Sequence, residues 1–310
     1  MTLNRASWSR LKLFLALSRT PHGLLDMCTP ALGALLWLGE FPSVPVIVLG
    51  LITAFAGYTA VYALNDVVDF RVDRERVRCG ELPSSETYLD DVLVRHPMAY
   101  GLLSFRSGVL WALAWALLAV IGAYLLNPVC VYIFITGCLL EAGYCFLLRI
   151  SPFRTFVSGI VKTSGGIAAV FAVDPDPSPV FLVMLFIMLV GWEVGGQNIP
   201  HDWEAIERDR CLQAKTIPLQ WGSERATTLV LVSIWIACMA NLALLIFSRG
   251  HFGMMSLAGV IVVNVFLLIR PALKLKKSPK RQVAMALFNR ASYYPLALLF
   301  LVVIDILIRT

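Results

Sequence analysis

Residues 44–73 read VPVIVLGLITAFAGYTAVYALNDVVDFRVD, an apolar run that passes directly into Asn65-Asp66-Val67-Val68-Asp69-Phe70-Arg71-Val72-Asp73. A helix needs about 20 apolar residues to cross the hydrocarbon core of a bilayer. Residues 44–64 supply that length with no charged side chain. Three carboxylates then arrive where such a helix leaves the lipid. On a continuing helix Asp66, Asp69 and Asp73, spaced by three and four, project from one face. Adjacent anions repel one another unless cations neutralise them. Mg²⁺ suits such a place because it takes oxygen ligands and is commonly shared between carboxylates and substrate phosphates. The alternative is a solvated helix end whose acids pair with Arg71, Arg74, Arg76 and Arg78.

Outward from this stretch, the rest of the chain has the same character. Of its 310 residues 58% are hydrophobic and 15% charged, with a mean hydropathy of +0.76, more apolar surface than a water-soluble fold can bury. The expected fold is all-α and integral to the membrane, one domain over residues 1–310, with nine spans at roughly 22–39, 44–64, 107–126, 128–148, 155–173, 179–198, 226–247, 252–270 and 290–308. With the N-terminus in the cytoplasm, 24 of the 26 Lys and Arg residues lie on or beside the cytoplasmic side, leaving Arg249 and Arg309 opposite. That asymmetry sets the orientation and explains the net charge of +6 without nucleic acid. The arm holding Arg5, Arg10, Lys12 and Arg19 has no cleavage signature, so no removable signal peptide is expected. The seven cysteines form no Cys-x-x-Cys pair, their number is odd and most lie in apolar runs, so neither disulfides nor a zinc site is expected.

The two longest cytoplasmic loops follow the second and sixth spans, which hints at a four-helix pseudo-repeat. The second begins with Asn198-Ile199-Pro200-His201-Asp202-Trp203-Glu204-Ala205-Ile206-Glu207-Arg208-Asp209-Arg210. On a helix Asp202 and Asp209 share a face, Glu204 points away and Glu207 sits to one side. An ordinary amphipathic helix reads the same way when taken alone. Two acidic helix ends at matching positions on one side of the membrane form a site able to hold metal between them and bind diphosphate.

Asn65-Asp66-x-x-Asp69-x-x-x-Asp73, with the second acidic segment running through Asp209-Arg210 to Lys215-Thr216-x-Pro218 and Gly222, resembles the UbiA superfamily of intramembrane prenyltransferases. Arg19-x-Pro21, Arg149-x-Ser151-Pro152-x-Arg154 and the span count extend the likeness over nearly the whole chain. The resemblance implies nine helices around a central cavity open to the membrane lipid, with cytoplasmic cap loops. It implies a polyprenyl diphosphate bound through Mg²⁺ at Asp66, Asp69, Asp73, Asp202 and Asp209. It further implies ionisation of the allylic C–O bond and transfer of the prenyl group to an aromatic or other lipophilic acceptor. A UbiA-type terpene cyclase shares the ionisation step, and a transporter or lipid-binding protein would use the acids for cations alone. The family's second motif is usually Asp-x-x-x-Asp; here Ala205 stands four before Asp209, so Asp202 is the candidate replacement.

The remaining substrate-binding candidates are Asn65, Arg71, Lys162, Arg149, Arg154, Lys215, Glu193 and Asn198. Lys162 facing lipid would cost about 2.5–3.5 kcal/mol, so it is expected to point into the cavity towards diphosphate. For Arg149 and Arg154 the competing explanation is topology alone. Arg71 lies inside the first motif. Glu193, within the sixth span, either contacts the acceptor, removes its proton, or makes a structural hydrogen bond between helices. His22, His96 and His201 are assigned no metal, and His96-Pro97 is read as a turn. Tyr58, Tyr62, Tyr132 and Tyr144 are placed to line a cavity or to pack.

Overall fold

A computed structural model of the chain describes residues 9–80, 93–250 and 252–309. These residues are helical wherever they are regular, with no strands among them. In lipid a helix satisfies its backbone groups internally and an open strand edge does not. Among the described residues eight helices are long and apolar enough to cross a membrane: Val44–Val68, Phe105–Leu126, Pro128–Arg149, Arg154–Val173, Pro179–Glu204, Ile217–Phe247, Met254–Lys277 and Arg281–Arg309. The first of the nine expected spans is built differently. After α1 (Arg10–Leu17), residues 20–38 form two shorter helices, α2 (Thr20–Asp26) and α3 (Cys28–Leu38), which meet at Met27.

The other elements are α4 (Val44–Val68), α5 (Phe70–Arg78), α6 (Phe105–Leu126), α7 (Pro128–Phe146), α8 (Arg154–Val173), α9 (Pro179–Trp192), α10 (Ile199–Glu204) and α11 (Ile206–Cys211). They are followed by α12 (Ile217–Phe247), α13 (Met254–Val263), α14 (Arg270–Lys277), α15 (Arg281–Ser292) and α16 (Tyr294–Arg309). Successive long helices pack on their neighbours, α4 on α6, α7 on α8, α9 on α12, and α16 returns to α3, which also touches α8. The helices therefore close on themselves around a central space. Leu110, Leu113, Leu117, Leu139 and Phe300 lie on the outside, largely exposed, as lipid-facing side chains do.

The largest buried apolar cluster joins α9, α12, α15 and α16 through Leu185, Met188, Ile234, Leu287 and Leu298. Close approach of α9 to α12 depends on small residues: a Cβ at Gly191 would lie 2.7 Å from the Ser233 carbonyl oxygen. The span that begins with α9 turns into a π-helical segment over Glu193–Asn198 before α10. Gly222, at φ +76°, breaks the start of α12 in a conformation that favours glycine.

Candidate active site

Neither acidic motif sits on one continuous helix. α4 ends at Val68 and α5 starts at Phe70, with Asp69 (φ −80°, ψ 1°) as the joint. In the same way α10 ends at Glu204 and α11 starts at Ile206, with Ala205 (φ −83°, ψ 2°) between them. The two breaks have nearly the same geometry, as a structural repeat requires. Asp66, Asp69, Asp73, Asp202 and Asp209 are all buried. Glu204 is buried as well, held by Arg208 at 2.9 Å and by Arg281. Glu207 is exposed and meets Arg210 at 3.3 Å.

The first acid set is surrounded by cations. Arg19 reaches Asn65 Oδ1 at 3.0 Å and Asp66 Oδ1 at 3.2 Å, and Arg76 meets Asp73 Oδ1 at 2.6 Å. His96 places Nδ1 3.0 Å from Asp73 Oδ2 and 3.4 Å from Asp66 Oδ1. His96 does occupy a turn, at φ +50°, with its carbonyl accepting from Ala99 N–H. The turn brings His96 against the first acid set, where Asp66, Asp73 and His96 offer ligand atoms within 4.8 Å of one another. No local spacing signals this contact, since His96 stands 23 residues beyond Asp73 in the chain, and residues 81–92 between them lie outside the described residues. Burial opposes the charge of His96, but Asp73 and Asp66 outweigh it and push its pKa up to about 9. Burial raises the pKa of Asp69 and of Asp209, against the opposing field of Arg76.

In the second set, Asp202 Oδ2 and Asp209 Oδ2 are buried without a hydrogen-bond partner. Arg154 is buried over the Tyr144 ring, 4.0 Å from its centroid, and its field acts on Asp69, Asp202 and Asp209 alike. Arg76 acts on the same three. The two motifs thus share their cations across the gap between them. Contrary to the expectation of no disulfide, Cys79 and Cys211, at the ends of α5 and α11, are bonded, with Cα atoms 6.2 Å apart. The pairing joins positions separated by 132 residues, so no local spacing announces it. It forms because the two acid-bearing helices are brought end to end.

The other candidates divide. Asn65 donates to Glu141 Oε1 at 2.6 Å, and Asn198 lines the cavity below with a buried Oδ1 lacking a partner. Arg149 is occupied by Glu75 and by the Leu212 carbonyl at 2.9 Å, while Arg71 and Lys215 are exposed. Lys162 lines the cavity as expected, but its ammonium is held by Asp26 and by the Tyr62 hydroxyl at 2.5 Å. Asp26 was not singled out from the sequence, although an acid inside an apolar span is itself a signal. Tyr132 points outward, whereas Tyr58, Tyr62 and Tyr144 line the cavity.

That cavity has a volume of about 540 Å³. It is lined along α4 from Val46 to Asn65, about 28 Å of helix, with Phe134 of α7 and Ala168 of α8 on other sides. Its walls are mainly apolar, and polar groups gather towards the acid motifs: Arg19, Asn65, Glu141, Lys162, Glu193 and Asn198. An anionic head among the acids and arginines, with an apolar chain running down the cavity, is the ligand shape this space admits.

Residues 27–293 match the UbiA prenyltransferase family. The chain belongs to that family. As a UbiA protein it is a prenyltransferase embedded in the membrane. It is 22% identical over 268 residues to a digeranylgeranylglyceryl phosphate synthase of Thermococcus kodakarensis, covering 84% of this chain and 87% of that protein. A Thermococcus sibiricus protein of the same name is 24% identical over 236 residues, covering 75% and 76%. Among solved structures, a UbiA homologue from Aeropyrum pernix superposes with a TM-score of 0.71 at 17% identity, covering 93% of this chain and 98% of that one. An Archaeoglobus fulgidus UbiA homologue bound to GPP and Mg²⁺ gives 0.65 at 16% identity, covering 94% and 99%. At these identities the structural likeness speaks for the fold.

Proposed function

We propose that this UbiA protein transfers a prenyl group from an isoprenoid diphosphate to a lipophilic or aromatic acceptor, in a Mg²⁺-dependent reaction at the cytoplasmic face of the membrane. The observation that carries this reading is the meeting of two buried acid-bearing helix ends, with Arg76 and Arg154 acting on both, above an apolar cavity of about 540 Å³. The donor set fits Mg²⁺: it is built of carboxylate oxygens, two of them buried without partners. Asp66, Asp69 and Asp73 on one side and Asp202 and Asp209 on the other would hold the ions. When bound, Mg²⁺ supplies charge stabilisation for the departing diphosphate.

The chain's own residues do the rest. Arg76 and Arg154 lie where negative charge accumulates as the allylic C–O bond opens, and the burial of Arg154 strengthens its effect. Tyr58, Tyr62 and Tyr144 present rings to the cavity where an allylic cation would form. The apolar walls keep water from capturing it. Cytoplasmic placement of the acids is supported by the Lys and Arg asymmetry between the two sides.

The test is incubation of the purified protein with labelled geranylgeranyl or farnesyl diphosphate and Mg²⁺, with and without acceptors. The Thermococcus relatives are named for a doubly prenylated glyceryl phosphate, so a glyceryl phosphate ether is the first lipid acceptor to include. Acceptor-linked product supports the proposal. A cyclic hydrocarbon formed without acceptor would replace it with a cyclase, and no diphosphate release would overturn both.

A further inference from the structure

Glu193 opens the π-helical segment Glu193–Asn198 and is 4% exposed. Its Oε1 accepts a hydrogen bond from Ser158 at 3.0 Å, and its Oε2 has no partner. The side chain lines the same cavity as Asn65 and Asn198. Glu193 precedes Asp202 by nine residues, about 13 Å along a helix, so it lies below the acid motifs on the apolar side. π-Helical turns inside a membrane helix recur at functional positions.

A carboxylate buried at this depth is costly unless it is paired or used. Glu193 makes no ion pair among the described residues. The nearby ammonium, Lys162, is committed to Asp26, which also accepts from Tyr62. Other groups whose charge acts on Glu193 are Asp26 and Glu141, both acidic, and Asp202 and Tyr58 also face it electrostatically. Lys162 is the one cation in this set, and it is shared with a second acid. Glu193 is therefore an acid with a hydrogen bond to hold its orientation and a second oxygen, buried and unpartnered, on a side chain that lines the cavity. Removing a proton from a molecule lying in that cavity requires such a group.

Resting on the prenyl-transfer reading above, we infer that Glu193 is the catalytic base that takes the proton from the acceptor, and that the acceptor reacts through a hydroxyl-bearing group, a lipid alcohol or a phenol. The allylic C–O bond breaks with its electron pair leaving on the diphosphate. A lone pair of the acceptor hydroxyl oxygen forms the new bond to the allylic carbon. The O–H bond then breaks, its pair stays on oxygen, and the proton passes to Oε2 of Glu193. Ser158 fixes the other carboxylate oxygen and is a positioning residue.

The experiment compares wild type, Glu193→Gln, Glu193→Asp and Glu141→Gln with geranylgeranyl diphosphate and Mg²⁺. A hexadecyl glyceryl phosphate is offered in one arm and para-cresol in the other, and diphosphate release and acceptor-linked product are measured separately. Glu193→Gln is isosteric and keeps an oxygen for Ser158, and its folding is checked by thermal unfolding. Its expected loss is about a hundredfold or more in acceptor-linked product, with a far smaller loss in diphosphate release. Glu193→Asp restores part of the coupling, and Glu141→Gln does not reproduce the split. The arm that yields product identifies a lipid alcohol or a phenol. Equal loss of release and coupling in Glu193→Gln, or no loss of coupling, overturns the inference. So does a wild type that releases diphosphate but prenylates neither probe. A wild type that releases no diphosphate fails at the earlier step and refutes the prenyl-transfer reading itself.

Discussion

At the first acid-bearing helix end Asp66 meets Arg19 and His96, and Asp73 meets Arg76 and His96. At the second, Asp202 and Asp209 each keep a buried oxygen without a hydrogen-bond partner, and Ala205 stands at the joint that Asp69 occupies in the first. The backbone repeats while the charge balance does not. The first set is largely neutralised by the protein's own cations; the second has one carboxylate fewer and is served mainly by the fields of Arg154 and Arg76. The proposed consequence is a division of labour: the first end holds its metal with a full acid set, and the second sets how much Mg²⁺ the enzyme needs.

The largest expected effect is at the first end. Asp66→Asn and Asp69→Asn should each lower diphosphate release by at least about a hundredfold, since each removes a charge aimed at the ionising substrate's metal. Both proteins should remain inserted and monodisperse, because these acids sit at helix joints and not in the apolar cluster. Wild-type release by either purified variant would remove the first end from the chemistry and break the comparison.

A smaller effect belongs to the second end. Asp202→Asn should raise the Mg²⁺ concentration for half-maximal turnover by about 10–100-fold, and Ala205→Asp, which restores an acid one turn before Asp209, should lower it. Titration of turnover with Mg²⁺ in the three proteins decides this. If Asp202→Asn leaves the titration in place, Asp202 does not complete the second site.

His96 tests the claim that the first end is balanced by protein charge. In EDTA, His96→Gln should lose about 1.5–3 kcal/mol of stability as charge-assisted contacts to two carboxylates go. Added Mg²⁺ should recover more stability in the variant than in wild type. Because the folded-state pKa of His96 is raised to about 9, its contribution is fully present below about pH 6.5 and is lost as the pH rises through about 9. Thermal unfolding in EDTA at pH 6 and pH 9.5 should therefore separate wild type from His96→Gln at the lower pH and bring them together at the higher. Curves equally far apart at both pH values would show that His96 acts through shape and not charge.

Much of this architecture is legible in the chain because lipid imposes one rule on every span, and runs such as 44–64 and 107–126 obey it without a charged side chain. The acids of both motifs were readable for a related reason: carboxylates at the end of an apolar run need a cation, and their spacing is local. What the sequence did not disclose is contact across long loops. His96 reaches Asp66 and Asp73 from a turn whose position depends on tertiary folding, whereas Arg76, three residues beyond Asp73 on the acids' own helix face, follows from local periodicity. Asp26 and Lys162 meet across 136 residues, so neither side chain's partner is visible locally.

The smallest expected effect on turnover concerns the bond between the two ends. The Cys79–Cys211 disulfide joins α5 to α11, and a disulfide typically stabilises a fold by about 2–4 kcal/mol. It is not the sole link between them. Arg149 bridges Glu75 of α5 and the Leu212 carbonyl just beyond α11, and Lys215 N–H donates to the Leu148 carbonyl at 2.7 Å. Leu148, Leu212 and Ala214 are buried together, with Val72 and Cys79 against them. These contacts hold the two helices in place when the sulfurs separate. Cys79→Ser, or reduction of the wild type, should lower the melting temperature while leaving the Mg²⁺ titration of turnover where it was. The paired measurement is thermal unfolding and Mg²⁺-dependent turnover of the same sample, oxidised and reduced. A collapse of turnover on reduction would mean that the disulfide alone fixes the gap between the motifs, and that the two ends are not separately supported sites.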